Sequence, residues 1–171
     1  MLKWKKKLSF FILIILVVMV ASMDIHILVL KDLIDEQIVF MDMVYPNEEF
    51  TIEWIHSVEL QPWEEVFRID TDYDIILDRT RFKSFGAGVP DYAGNRSEIK
   101  DGYVIFSGIN KNIDDLQYRA SNVAKHTFYF KDKELKLYEL VRNENIIKIY
   151  VEPTNIIKYF ILKLKRLLKV S

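Results

Sequence analysis

Phe50-Thr51-Ile52-Glu53-Trp54-Ile55-His56-Ser57 alternates along its length, with Phe50, Ile52, Trp54 and His56 on one side of an extended chain and Thr51, Glu53 and Ser57 on the other. A period of two is the mark of a half-buried β-strand, because a helix would scatter the same residues around its axis. The next stretch repeats the pattern, placing Trp63, Glu65, Phe67 and Ile69 on one face. Working outward, similar runs rich in β-branched and aromatic residues predict strands near 26–30, 37–44, 75–85, 103–107, 116–120, 123–130, 135–140 and 146–151. Turn residues separate them at Lys31-Asp35, Pro46-Asn47, Asp72-Asp74, Lys131-Lys133 and Asn143-Asn145. No helical period of useful length interrupts residues 24–153. The expectation is an all-β fold, a single antiparallel β-sandwich or barrel-like domain.

The rest of the chain sets where this domain sits. With 171 residues, half of them hydrophobic, and no cysteine, it has enough chain for one modest core, which excludes disordered, collagenous and disulfide-stapled classes. Lys3, Lys5, Lys6 and Lys7 precede an uncharged run from Leu8 to Met23, so residues 1–23 read as a membrane anchor or export signal. The run spans ~24 Å as a helix, short of a ~30 Å hydrocarbon core, although Trp4 and snorkelling lysines cover some mismatch. A retained anchor is favoured over a cleaved signal, since Val20-Ala21-Ser22 is a poor small-x-small site, and the alternative is secretion after cleavage. The positive-inside rule keeps the lysines cytoplasmic and sends the β-domain outward, as a single-pass protein of the cytoplasmic membrane.

Residues 154–171 form the third segment. Thr154 is the expected cap of a helix whose Ile157, Phe160, Ile161, Leu164, Leu167 and Leu168 follow one face, while Lys158, Lys163, Lys165, Arg166 and Lys169 take the remainder. Tyr159, Leu162 and Val170 stray among the charges. So basic an amphipathic helix suits a membrane surface, and those five cations are its expected lipid-binding residues; the alternative is a surface helix packed on the acidic body. Fifteen of the 24 basic residues remain in the middle of the chain against all 25 acidic ones. An acidic body between basic ends excludes nucleic acid as a partner.

Two features carry candidate chemistry. The stretch Gly86-Ala87-Gly88-Val89-Pro90-Asp91-Tyr92-Ala93-Gly94-Asn95 holds three of the five glycines and reads as a long loop on to Gly102. It is either a plain crossover between sheets or an anion-binding concavity of backbone N–H groups, and it matches no nucleotide-binding spacing. The second feature is polar residues on apolar faces. A short loop at Asp72-Tyr73-Asp74 predicts Glu65 opposite Arg81, so that His56, Glu65 and Arg81 converge beside the glycine loop. The cluster reads either as a buried ion pair or as an anion pocket in which Arg81 forks a carboxylate or phosphate. Ser57 points away from His56, which argues against a nucleophile-base dyad. His126 reads as a satisfied core histidine, and His56, Glu59 and His126 follow no metal-ligand spacing, so neither metal nor other cofactor is expected.

The pieces Ile55-His56-Ser57-Val58-Glu59, Pro62-Trp63-Glu64-Glu65 and Arg81-Phe82-Lys83-Ser84-Phe85-Gly86-Ala87-Gly88-Val89-Pro90, with Asp101-Gly102-Tyr103 and His126, resemble the bacterial domain-of-unknown-function 1850 family. The likeness covers about residues 25–151 and leaves the basic tail outside. It implies no established activity. It does imply an accessory role beside TAXI-type TRAP transporters, which move organic anions such as carboxylates, with transporter membrane subunits, a solute-binding protein or a small carboxylate as partners. The positions it favours are His56, Ser57, Glu65, Ser84, Gly86, Ala87 and Gly88. A hydrolase or isomerase using His56 and Glu65 as acid and base, and a purely structural envelope protein, are the alternatives.

Overall fold

Two antiparallel sheets pack face to face in the computed structural model, which describes residues 2–83 and 94–169. In chain order the elements are α1 (Leu2–Ala21), β1 (Asp24–Asp32), β2 (Gln37–Met43), β3 (Glu49–Ile55), β4 (Pro62–Ile69), β5 (Ile75–Phe82), β6 (Arg96–Lys100), β7 (Tyr103–Asn112), β8 (Leu116–Arg119), β9 (Thr127–Phe130), β10 (Lys133–Lys136), α2 (Leu137–Leu140), β11 (Ile146–Asn155) and α3 (Ile156–Lys169). One sheet runs β2-β1-β11-β8 and the other β10-β9-β3-β4-β5-β7-β6, so the fold is an all-β sandwich with open edges and not a closed barrel. Leu28, Leu30, Phe40, Ile147 and Ile149 of the first sheet meet Phe50, Ile52, Phe67, Phe128 and Phe130 of the second in one core. The rings of Phe50 and Phe67 stack at 5.0 Å, and Phe128 lies 5.4 Å from Phe40 across the layers.

Strand β1 departs from alternation for a physical reason. Leu28 and Leu30 enter the core between the sheets, while Ile27 and Val29, on the opposite face, are buried with Met41 beneath Tyr159 of α3. A strand covered on both faces reads as an uninterrupted apolar run, as Ile27-Leu28-Val29-Leu30 does.

Several boundaries differ from the expectations. Residues 96–100, read as part of the long loop, form β6, an edge strand whose residues are all exposed and therefore show no alternation. The signal that could have found it is Asp101-Gly102, both with positive φ, which closes a two-residue hairpin with Lys100 opposite Tyr103. The 135–140 run divides into β10 and the single turn α2, where Leu137 is fully buried. Only Thr127–Phe130 of the 123–130 run is strand, because Ser121 Oγ accepts the N–H groups of Val123 and Ala124 in a turn. The last strand does not stop at residue 151; β11 continues through Pro153 to Asn155, and Asn155 Oδ1, not Thr154, caps α3 by accepting the Lys158 N–H at 2.8 Å.

The lysines occupy the first two turns of α1, and no helix among the described residues is long and apolar enough to cross a membrane.

Candidate functional site

The hairpin register decides which polar groups meet. Strand β4 pairs with β5 from Ile69 opposite Ile75, and a bulge at Asp78 then shifts the ladder by one residue. Glu65 consequently faces Thr80, and Arg81 lies opposite Glu64. The expected pairing of Glu65 with Arg81 is therefore corrected: the extra residue turns Arg81 to the outer face of the seven-stranded sheet while Glu65 stays inward. There the Arg81 Nε and Nη2 donate to Glu64 Oε2 at 3.0 and 2.8 Å, and the guanidinium lies 4.7 Å from the Tyr103 ring centre. Being half exposed, this pair should couple by no more than about 1 kcal/mol in a double-mutant cycle of Arg81→Met with Glu64→Leu. Arg81→Met and Glu65→Leu should add, as read by urea unfolding. Coupling of several kcal/mol between Arg81 and Glu65 would contradict the register.

On the inner side, Glu65 finds its partner in the opposite sheet. Tyr118 of β8 donates its hydroxyl to Glu65 Oε2 at 2.6 Å. Burial pushes the Glu65 carboxyl above the usual carboxylate range, against the opposing pull of the Tyr118 hydrogen bond and the Lys111 charge. Burial and the neighbouring carboxylate hold the Tyr118 hydroxyl well above its ordinary value. Around this bond Trp54, Tyr118 and His126 form a triangle with ring centres 5.5 to 5.9 Å apart. Trp63 continues the stack, 5.7 Å from Trp54, and touches His56 and Phe82. Burial lowers the His126 pKa to about 4, so the ring is neutral. His126 is not the satisfied core histidine expected: among the described residues its Nδ1 and Trp63 Nε1 are buried without a hydrogen-bond partner. Sequence parity puts Tyr118 on the apolar side of β8 with Leu116 and Ala120, yet no local signal says that it reaches Glu65.

His56 lies just beyond β3 and organises a turn. Its N–H donates to the Gln61 carbonyl at 2.9 Å, its carbonyl accepts from Leu60, and its Nδ1 accepts the Glu59 N–H at 3.3 Å. Ser57 is exposed in the same turn. A cavity of about 10 Å³ opens beside His56, Glu59, Gln61, Trp63, Phe82 and Lys83. Bounded by the described residues, that is room for about one water. Ser84, Gly86, Ala87 and Gly88 lie outside the described residues. Among those residues no group of histidine and acidic side chains is placed to hold a metal. A wider concavity, about 390 Å³, lies on the outer face of the seven-stranded sheet, where Arg79, Arg81 and Arg96 share its walls with Glu64 and Glu98. Arg79 is already held by Glu49 at 2.7 Å.

Of the tail cations, Lys158, Lys163 and Lys165 are exposed and Arg166 is half-buried; the Lys169 side chain is outside the described set. Lys163 Nζ donates to the Tyr159 hydroxyl at 3.1 Å.

The sequence profile of a domain of unknown function, DUF1850, matches residues 50–137, from the first apolar residue of β3 to the buried start of α2. No curated protein and no solved structure matches the chain.

Proposed function

The chain belongs to the DUF1850 family, and from that premise we propose that it is a non-enzymatic accessory domain attached to the cytoplasmic membrane, with its β-sandwich on the extracytoplasmic side, that assists a TAXI-type TRAP transporter of organic anions by binding the transporter's membrane subunits. The observation that carries the attachment is in α1, where Phe10, Phe11, Ile12, Leu13, Ile14, Ile15 and Leu16 are all exposed. Seven consecutive residues make nearly two turns, so along this stretch the helix is apolar on every side and largely uncovered, which suits lipid and not water. Only Ser22 and Met23 separate α1 from β1, so the helix holds the sandwich close to the bilayer. The apolar run is shorter than the hydrocarbon core, and the lysine stems, Trp4 and a locally thinned bilayer make up the difference. The transporter partner comes from the family resemblance.

The test is made in cells carrying the full chain with an epitope in the exposed turn at Asp132. The chain should stay in the membrane fraction after an alkaline wash, protease added to spheroplasts should digest the epitope, and a transporter subunit should co-purify from detergent extract. Recovery in the soluble fraction would overturn the attachment, epitope protection would overturn the orientation, and a pull-down without transporter would overturn the partner.

A further inference from the structure

We infer that α3 is a second membrane contact, selective for anionic lipid, which turns the outer face of the four-stranded sheet toward the bilayer; this deepens the attachment read from α1 and rests on it. Two side chains fix how α3 is rotated. Tyr159, 2% exposed, and Leu162 pack on Ile27, Val29 and Met41 at the outer face of that sheet. The Tyr159 hydroxyl also donates to Asp42 Oδ1 at 3.2 Å. These are the residues that stray from the apolar stripe in the sequence, and they are the ones that seat the helix. The stripe itself is left facing outward: Ile157, Phe160, Ile161, Leu164 and Leu168 are between 49% and 70% exposed. A surface helix normally turns such a stripe to the core, so a helix seated by two other residues, with its stripe presented to the surroundings, has a second surface to cover.

Charge and position select the occupant. Residues 154–171 contain no acidic side chain, and Lys158, Lys163, Lys165 and Arg166 stand beside the stripe. A lipid surface with anionic headgroups accommodates both at once: the apolar residues enter the headgroup boundary and the cations stay at phosphate depth. The stripe is also continuous with the first membrane contact, because Ile156 at the start of α3 shares an apolar concavity with Leu16, Val20 and Ala21 of α1. Two apolar helix surfaces meeting at one point on the sandwich can enter one bilayer together, whereas a protein partner for α3 would have to fit against α1 and its surrounding lipid.

The chain contains no cysteine, so single-cysteine variants of the full protein can carry an environment-sensitive fluorophore. Leu13→Cys reports on α1, Phe160→Cys and Leu164→Cys on α3, and Val58→Cys on the exposed turn after β3, at the end of that strand opposite to Glu49. Each labelled chain is reconstituted into vesicles of phosphatidylcholine alone or mixed with phosphatidylglycerol. The labels at 160 and 164 should shift to the blue and be quenched by lipid-borne nitroxide in the anionic vesicles, but little in the neutral ones, and should return toward water as salt rises. The label at 13 should be embedded in both, and that at 58 in neither. Lys158→Gln or Lys165→Gln should lower the embedded fraction at 160 about fivefold each, with position 13 unchanged. Labels at 160 and 164 that remain in water in anionic vesicles while position 13 is embedded would overturn this inference and leave the attachment standing. Position 13 in water would overturn the attachment itself. Shielding at 160 that rises with protein concentration and is indifferent to lipid charge would assign the stripe to a second copy and overturn the lipid contact.

Discussion

Asp32→Ala is expected to destabilise the domain by about 3 kcal/mol or more, read as a shift in urea unfolding at constant slope. Asp32 is fully buried at the end of β1. Its Oδ1 accepts the N–H groups of Ile34 and Asp35 at 2.9 and 3.2 Å, and its Oδ2 accepts from Asn145 Nδ2 at 2.7 Å. Alanine removes a charged acceptor shared by three donors, of which the Asn145 amide is buried while the Ile34 and Asp35 N–H groups belong to an exposed turn. The network continues outward, where Asn145 also donates to Asp35 and Asp35 is bridged to Arg142. Asp32→Asn should fall between wild type and alanine, because its carbonyl keeps the two backbone donors while its amide opposes that of Asn145. An alanine variant as stable as wild type would show that the carboxylate does not organise this end of the sheet.

The second large effect is a dependence on pH with two opposed contributions. The folded-state pKa of His126 is about 4, below the ordinary 6.5, so the neutral ring belongs to the folded form. The stability it contributes is complete above pH 6.5 and is lost as pH falls toward 4. The loss is on the order of 2 kcal/mol after discounting for the partly exposed ring. Glu65 acts with the opposite sign. Its folded-state pKa is raised, so its contribution is complete below 4.5 and is lost as pH climbs through the folded value. His126→Phe keeps an aromatic ring in the Trp54 and Tyr118 triangle and should abolish the acid loss. Glu65→Gln keeps an acceptor for the Tyr118 hydroxyl and should make the domain more stable than wild type above the Glu65 transition. Unfolding free energies measured from pH 4 to 8 check both. A His126→Phe variant retaining the wild-type acid slope would remove His126 as its source.

The sandwich was legible because alternation is local. Phe50 to His56 and Trp63 to Ile69 state their faces residue by residue, and the unbroken run at Ile27 to Leu30 states burial on both sides. The helical spacing of the tail is readable for the same reason. What failed was β6, whose exposed residues give hydrophobicity nothing to report, and the extension of β11 past Pro153, which depends on β1 lying alongside. In the candidate site the sequence correctly singled out Glu65 as a carboxyl on an apolar face in need of a partner, but the partner was misassigned. One bulged residue at Asp78 reverses the side on which Arg81 emerges, and neither β4 nor β5 announces it by composition. Tyr118 is 53 residues from Glu65 and belongs to the other sheet, so only the packing of the two layers joins them. The same holds for Tyr159 and Leu162, which look misplaced on the helix until β1 and β2 are beneath them. By itself, then, the sequence determined the period, the faces and the charge of each segment, because these depend on neighbours along the chain. The tertiary structure decided register, cross-sheet partners and the outward turn of the α3 stripe, because each of these is set by contact between segments remote in sequence.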